Sequence, residues 1–164
     1  MLNKVLKQIE EIKKWIESEL ILNFLDWIWI KIQISFKNNS VKYVKQWEIW
    51  NCYLGQNIDS EQNWDSNNNF YRPVLILRIF WTKVDNIIVL PITKSNKPDF
   101  ISFKITKEKY NFLKEENNTI LLDKVRVISK KRLANYKPFW RISKEDFEKI
   151  IKKFNDLIVL KDYK

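Results

Sequence analysis

Two apolar runs decide most of what this chain can fold into. Residues 73–80 (Pro-Val-Leu-Ile-Leu-Arg-Ile-Phe) and 86–92 (Asn-Ile-Ile-Val-Leu-Pro-Ile) have the length of strands and are too continuous to leave one face in water. They predict strands buried on both sides. Shorter strands are expected around them. Trp47, Ile49, Asn51 and Tyr53 alternate with Glu48, Trp50, Cys52 and Leu54, residues 100–105 alternate again, and 119–122 and 125–128 are short apolar stretches. Residues 106–116 read as a short helix. Ser143 begins a longer one: its hydroxyl can cap the first turn, Glu145 and Asp146 sit near the positive end, and Phe147, Ile150, Ile151, Phe154 and Ile158 form an apolar face. The pattern is α+β, and it predicts a small, partly open β-barrel with a connecting helix and a closing C-terminal helix.

The chain before the first strand has a different period. Leu2, Val5, Leu6, Ile9, Ile12, Ile16 and Leu20 recur at three- and four-residue steps, with Lys and Glu on the other side. This is an amphipathic helix, expected to continue with breaks through Trp27 toward Lys31. Trp27, Trp29 and Ile30 imply that it packs on something, by default its own barrel. Residues 37–40 (Lys-Asn-Asn-Ser) are a polar linker. The expected organisation is therefore a helical extension over 1–45 and a barrel domain over 46–164. The most apolar run, residues 20–30, is 11 residues long and contains Asn23 and Asp26. It is too short to span a bilayer, so no membrane association is expected. Glu10, Glu11, Glu17 and Glu19 and the lack of a small-residue cleavage site argue against a targeting segment.

Composition narrows the chemistry. The 164 residues contain no histidine and one cysteine, Cys52. That removes Ser-His and Cys-His dyads, an intramolecular disulfide, and the commonest metal ligand. Any catalysis falls to Arg, Lys, carboxylates, hydroxyls or Tyr, with no metal or cofactor expected. A single cysteine also fits a reducing cytoplasm, and Cys52 itself reads as core. The net charge is +10 and is uneven: residues 1–45 carry 8 basic and 5 acidic groups, 46–100 carry 5 and 6, and 101–164 carry 17 and 9. A basic face made by the last third could hold a polyanion, or it could be a solvated lysine surface.

Four clusters could do chemistry. The only glycine, Gly55, opens a polar loop that runs to Phe70 and contains Ser60-Glu61-Gln62 and Trp64. A loop of that length inside a compact domain is usually functional or disordered. Tyr71-Arg72-Pro73 stands where the loop enters the second strand. Pro91-Ile92-Thr93-Lys94-Ser95 ends the third. Asp123-Lys124-Val125-Arg126 lies between late strands. The ordered set Gly55, Ser60-Glu61-Gln62, Arg72-Pro73 before an apolar strand, Leu90-Pro91-Ile92-Thr93, then Leu122-Asp123-Lys124-Val125-Arg126 and Lys131-Arg132-Leu133 resembles the MazF/PemK-type toxins of type II toxin–antitoxin systems. The resemblance runs roughly from Trp47 to Ile158. Asp59 stands where the family loop usually has its first glycine, and Lys124 where it usually has Gln.

The resemblance implies an SH3-like barrel that acts, usually as a homodimer, as a metal-independent endoribonuclease. Such an enzyme cuts single-stranded RNA to 2′,3′-cyclic phosphate and 5′-hydroxyl ends, and a cognate antitoxin neutralises it. It further implies catalytic roles for Arg72 and Thr93, with Glu61 and Asp123 as acids linked to activity. Arg72 can grip phosphate oxygens with two parallel donors and should stay charged, so it suits an electrostatic stabiliser better than a base. A carboxylate, Glu61 or Asp123, is the better base. Ser60, Gln62, Trp64, Tyr71, Lys94, Ser95, Lys124 and Arg126 are the expected RNA contacts, with Trp64 and Tyr71 able to stack on bases. Two other functions are open at this level: a catalytically silent RNA-binding regulatory barrel, and a non-enzymatic gyrase-binding toxin, a type found in the same barrel superfamily.

Overall fold

The computed structural model describes residues 2–14, 19–36, 43–55, 70–80, 84–134 and 137–159. The chain divides into two compact units. One is Met1–Ser40 with Leu54–Phe70, and the other is Val41–Tyr53 with Tyr71–Lys164.

The larger unit is built on a curled antiparallel sheet. Its strands are β1 (Glu48–Tyr53), β2 (Tyr71–Ile79), β3 (Asn86–Thr93), β4 (Ser102–Thr106), β5 (Asn117–Leu121), β6 (Arg126–Ser129) and β7 (Trp140–Arg141). They lie in the order β4-β5-β3-β2-β1-β7, with β6 also on β3. The two apolar runs are the paired central strands, β2 and β3. β3 is shared: Asn86 to Val89 pair with β6, and Ile92 and Thr93 pair with β5. In β2 the register shifts between Ile76 and Arg78, so Leu77 is an extra residue against β3. A bulge of this kind raises the local twist and bends the sheet, which is how a short sheet begins to close on itself.

Burial follows the pleat. Ile49, Leu75, Leu77, Leu90, Ile92, Ile120 and Leu122 belong to one buried cluster with Ile105, Tyr110, Leu113, Ile142, Phe147 and Ile150. The last two come from α3 (Lys144–Ile158), whose apolar stripe packs on this face of the sheet. Trp50, Cys52, Val74, Ile76 and Val89, on the opposite face, are also fully buried. Both faces of the central strands are therefore covered, as their continuous apolar sequence requires. Ser143 caps α3, its Oγ accepting from the Asp146 N–H at 3.2 Å.

The start of β1 is held by an unusual set of bonds. Trp47 has φ of +72°, a conformation costly for a bulky side chain. It is fixed from both sides: its N–H donates to Ile76 O, its carbonyl accepts from Ile142 N, and its indole lies 5.6 Å from the Phe147 ring. The neighbouring Glu48 carboxylate is buried and accepts from Lys45 N, Trp50 Nε1 and Arg141 Nη2 at 2.8–3.0 Å. Its charge thus has the partners that burial demands, and Arg141 brings β7 with it.

Two expected elements differ. In place of the short helix expected over 106–116, Thr106 ends β4 and residues 107–116 form turns, closed by Lys107 N donating to Glu116 O at 3.0 Å. Tyr110 and Leu113 drop into the core from this stretch and Phe112 packs at its margin, too little apolar surface to sustain a helix of so few turns. The strand expected over 100–105 begins at Ser102. Asp99–Ile101 is a 3-10 turn in which Phe100 is exposed, and the Ser102 hydroxyl donates to Pro98 O at 2.8 Å.

The smaller unit contains α1 (Leu2–Lys13) and α2 (Glu19–Phe36), joined by an ion pair between Lys13 and Asp26 at 2.6 Å. Trp27 of α2 is buried, with its ring 5.7 Å from that of Phe70. Gly55 shows why it is glycine. Its φ is +83°, and a Cβ there would overlap the Trp27 indole. Phe70 O accepts from both Leu54 N and Gly55 N, at 3.0 and 3.2 Å. Trp27 thus packs against both ends of the segment that Gly55 opens. No helix among the described residues is long and apolar enough to cross a membrane.

Candidate functional site

Arg72 is the second residue of β2 and is paired across β1 with Cys52. It is half-buried. Parity puts it on the sheet face of Val74 and Cys52, away from the core that α3 covers. The β2–β3 register runs to Val74 opposite Pro91. Carried two residues further, that register sets Arg72 opposite Thr93, so two of the residues singled out for chemistry belong to one cross-strand row.

Thr93 ends β3 and is half-buried. Its Oγ1 accepts from the Ser95 N–H at 3.3 Å, which leaves its own proton available to a ligand. On its other side Thr93 is paired with Thr119 of β5. Lys94 is exposed and its ammonium lies 3.1 Å from Glu115. At such exposure the pair contributes little to stability and can be exchanged for another anion.

The remaining candidates are distributed differently. Asp123 follows the end of β5, is exposed, and pairs with its neighbour Lys124 at 3.4 Å. The chain turns at residues 123–124, and Arg126, the first residue of β6, is paired with Val89. That is four residues, roughly 13 Å of strand, from Thr93. The continued register sets Arg72 opposite Thr93, and Arg126 pairs further along β3. Ser60, Glu61, Gln62 and Trp64 lie outside the described residues, and Tyr71 is described by its backbone alone, paired with Tyr53.

Two residues near this row were not named as site candidates from the sequence. Arg132 donates through Nη1 to Tyr53 O at 3.3 Å, and the next residue, Leu133, bridges Cys52, the partner of Arg72. Arg132 stands in the Lys131-Arg132-Leu133 run of the ordered motif set. Thr119 is wholly buried. Its only signal in the sequence is a hydroxyl in the apolar strand before Ile120-Leu121-Leu122.

Resolved pKa shifts elsewhere in this unit mark a structural cluster. Tyr110 OH donates to Asp146 Oδ2 at 2.6 Å, and Lys109 Nζ lies 2.7 Å from Oδ1. Burial pushes the Asp146 carboxyl up, but the hydrogen bonds from Lys109 and Tyr110, with the charges of Lys109 and Lys149, outweigh it and leave a net lowering. The bond to Asp146 raises Lys109. Burial first, then the bond to Asp146, raises Tyr110. This cluster ties the β4–β5 connection to the first turn of α3. Among the described residues, no group of three or more His, Cys, Asp or Glu is arranged to hold a metal ion.

Comparison with known proteins gives this row a context. Residues 45–158 match the family described as PemK-like, MazF-like toxin of type II toxin-antitoxin system. Among solved structures, an endoribonuclease in complex with its cognate antitoxin, from a mycobacterial species, superposes with a TM-score of 0.53 at 11% identity, covering 73% of this chain and 98% of that one. The Mycobacterium tuberculosis toxin MazF-mt6 superposes with a TM-score of 0.50 at 14% identity, covering 67% of this chain and 94% of that one. At these identities the two structures share the fold. No curated protein matches the chain. With more than half of its length matching the family, and with the SH3-like sheet and C-terminal helix of MazF toxins, the chain belongs to the PemK-like, MazF-like toxins of type II toxin–antitoxin systems.

Proposed function

We propose that this toxin is an endoribonuclease that cleaves single-stranded RNA without a metal ion. The reading is supported above all by the β2–β3 register, which, continued from Val74–Pro91, sets Arg72 opposite Thr93. RNA brings its own nucleophile, so the protein has only to align and stabilise. The 2′-hydroxyl oxygen bonds to phosphorus as its proton passes to a carboxylate. The bond from phosphorus to the 5′-oxygen breaks, and that oxygen takes a proton from solvent water and leaves as a hydroxyl. The products are a 2′,3′-cyclic phosphate and a 5′-hydroxyl. Arg72 holds two phosphate oxygens and neutralises the charge that builds on them, and Thr93 donates to one of them. A carboxylate, Glu61 or Asp123, is the proposed base. Ser60, Gln62, Trp64, Tyr71, Lys94, Ser95, Lys124 and Arg126 remain the proposed RNA contacts. The proposed assembly is a homodimer whose RNA-binding face a cognate antitoxin covers.

The test is cleavage of a long unstructured RNA in EDTA by the native chain beside variants. Arg72→Ala is expected to slow cleavage by at least about 10²–10³-fold, the usual loss for one preorganised donor. Arg72→Lys is not expected to restore the rate, because a point charge lacks the paired donors. Whichever of Glu61→Gln and Asp123→Asn costs more rate identifies the base. Equal rates for native and Arg72→Ala would reject the assignment. RNA binding without cleavage would favour a silent RNA-binding barrel, and gyrase inhibition without RNA cleavage would favour the non-enzymatic toxin.

A further inference from the structure

Among the described residues, Thr119 Oγ1 is the one buried side-chain oxygen or nitrogen with no hydrogen-bond partner. Thr119 is fully enclosed, at 0% exposure. A buried hydroxyl without a partner weakens a fold, and a valine of the same shape would fill the volume without that penalty. The orphan therefore calls for a reason other than packing.

Its place in the sheet supplies one. Thr119 is paired with Thr93 in the β3–β5 register, and residues paired in this way project from the same face. Their neighbours Ile92 and Ile120, also paired, belong to the core cluster. The two threonines therefore face the other way, in the row that continues to Arg72. Facing threonines in a sheet commonly hydrogen-bond to each other. Here Thr93 Oγ1 is engaged instead by the Ser95 N–H at 3.3 Å, a long bond, and Thr119 is left without a partner.

We propose that Thr119 is a positioning residue for the phosphate site, donating its hydroxyl proton to Thr93 Oγ1 when Thr93 turns to donate its own to a phosphate oxygen. A threonine hydroxyl can donate once and accept twice, so Thr93 can take part in both bonds. A chain of donors of this kind strengthens its outer member. Thr119 is enclosed and does not touch RNA; it acts through Thr93. The inference rests on the RNA-cleavage reading above.

Steady-state cleavage of an oligoribonucleotide by native chain, Thr119→Val and Thr119→Ser, together with each protein's Tm, tests it. Thr119→Val is expected to keep or raise the Tm, lower kcat about tenfold, the effect of one ordinary hydrogen bond, and leave KM within about twofold. Thr119→Ser is expected to stay within about threefold of native kcat. Native kcat in Thr119→Val, or a parallel loss of Tm and activity in both variants, would overturn the assignment while leaving the cleavage reading intact. A native chain that cleaves no RNA would overturn both.

Discussion

Asp146 shows how one residue ties local structure to a solution property. Its carboxylate is nearly buried, accepts from Tyr110 and Lys109, and carries a lowered pKa. A carboxyl whose folded pKa lies below its unfolded value, about 3.9, adds stability above that value and loses it as pH falls through the folded pKa. Lys109 and Tyr110 are raised, so their contributions hold below about 10 and fade as pH climbs through the folded values. Asp146→Asn is therefore expected to cost about 1–2 kcal/mol at pH 7, as for a hydrogen bond to a charged group. The deficit should shrink as pH drops below about 4. Urea melts of both proteins from pH 3 to 8 check this, and a deficit that does not change with pH would contradict it. Residues of this kind were only partly legible beforehand. Ser143 and Asp146 could be read at a helix start because a hydroxyl cap has a local signature. That Tyr110 and Lys109 would meet Asp146 could not, since 36 and 37 residues separate them and only the folded sheet joins them.

Among the elements, β2, β3 and α3 were legible because each has a period or a run that no loop would carry. The 106–116 segment was not, because a few apolar residues fit a short helix and a turn that drops two side chains into a core equally well. β7 is two residues long and has no signal of its own; it exists because Arg141 reaches the buried Glu48. The helical extension was legible as helix, but its contact was not. Trp27 fills the space beside Gly55 and stacks near Phe70, so the only glycine in the chain and an aromatic 28 residues before it are one packing unit. Trp27→Ala is expected to destabilise this unit by about 3–5 kcal/mol, the usual loss for a buried tryptophan. Gly55→Ala should also destabilise it, because its φ is +83° and the added methyl meets the indole. Urea unfolding followed by far-UV circular dichroism checks both, and unchanged midpoints would refute this packing as a source of stability.

For the whole molecule, the family and the fold were accessible from ordered short motifs, while the site was accessible only in part. Arg72 and Thr93 were named together by the family resemblance, and the β2–β3 register, continued beyond Val74–Pro91, brings them to one row. The +10 charge, concentrated in residues 101–164, suits a polyanion but does not choose a reaction. The proposed reaction rests instead on a histidine-free pair, Arg72 and Thr93, which suits RNA that supplies its own nucleophile. The most direct measurement is mass spectrometry of the fragments released from a defined single-stranded RNA in EDTA. The account predicts 5′-fragments ending in a 2′,3′-cyclic phosphate and 3′-fragments beginning with a 5′-hydroxyl. Fragments with 5′-phosphate and 3′-hydroxyl ends, or an RNA left whole, would contradict it.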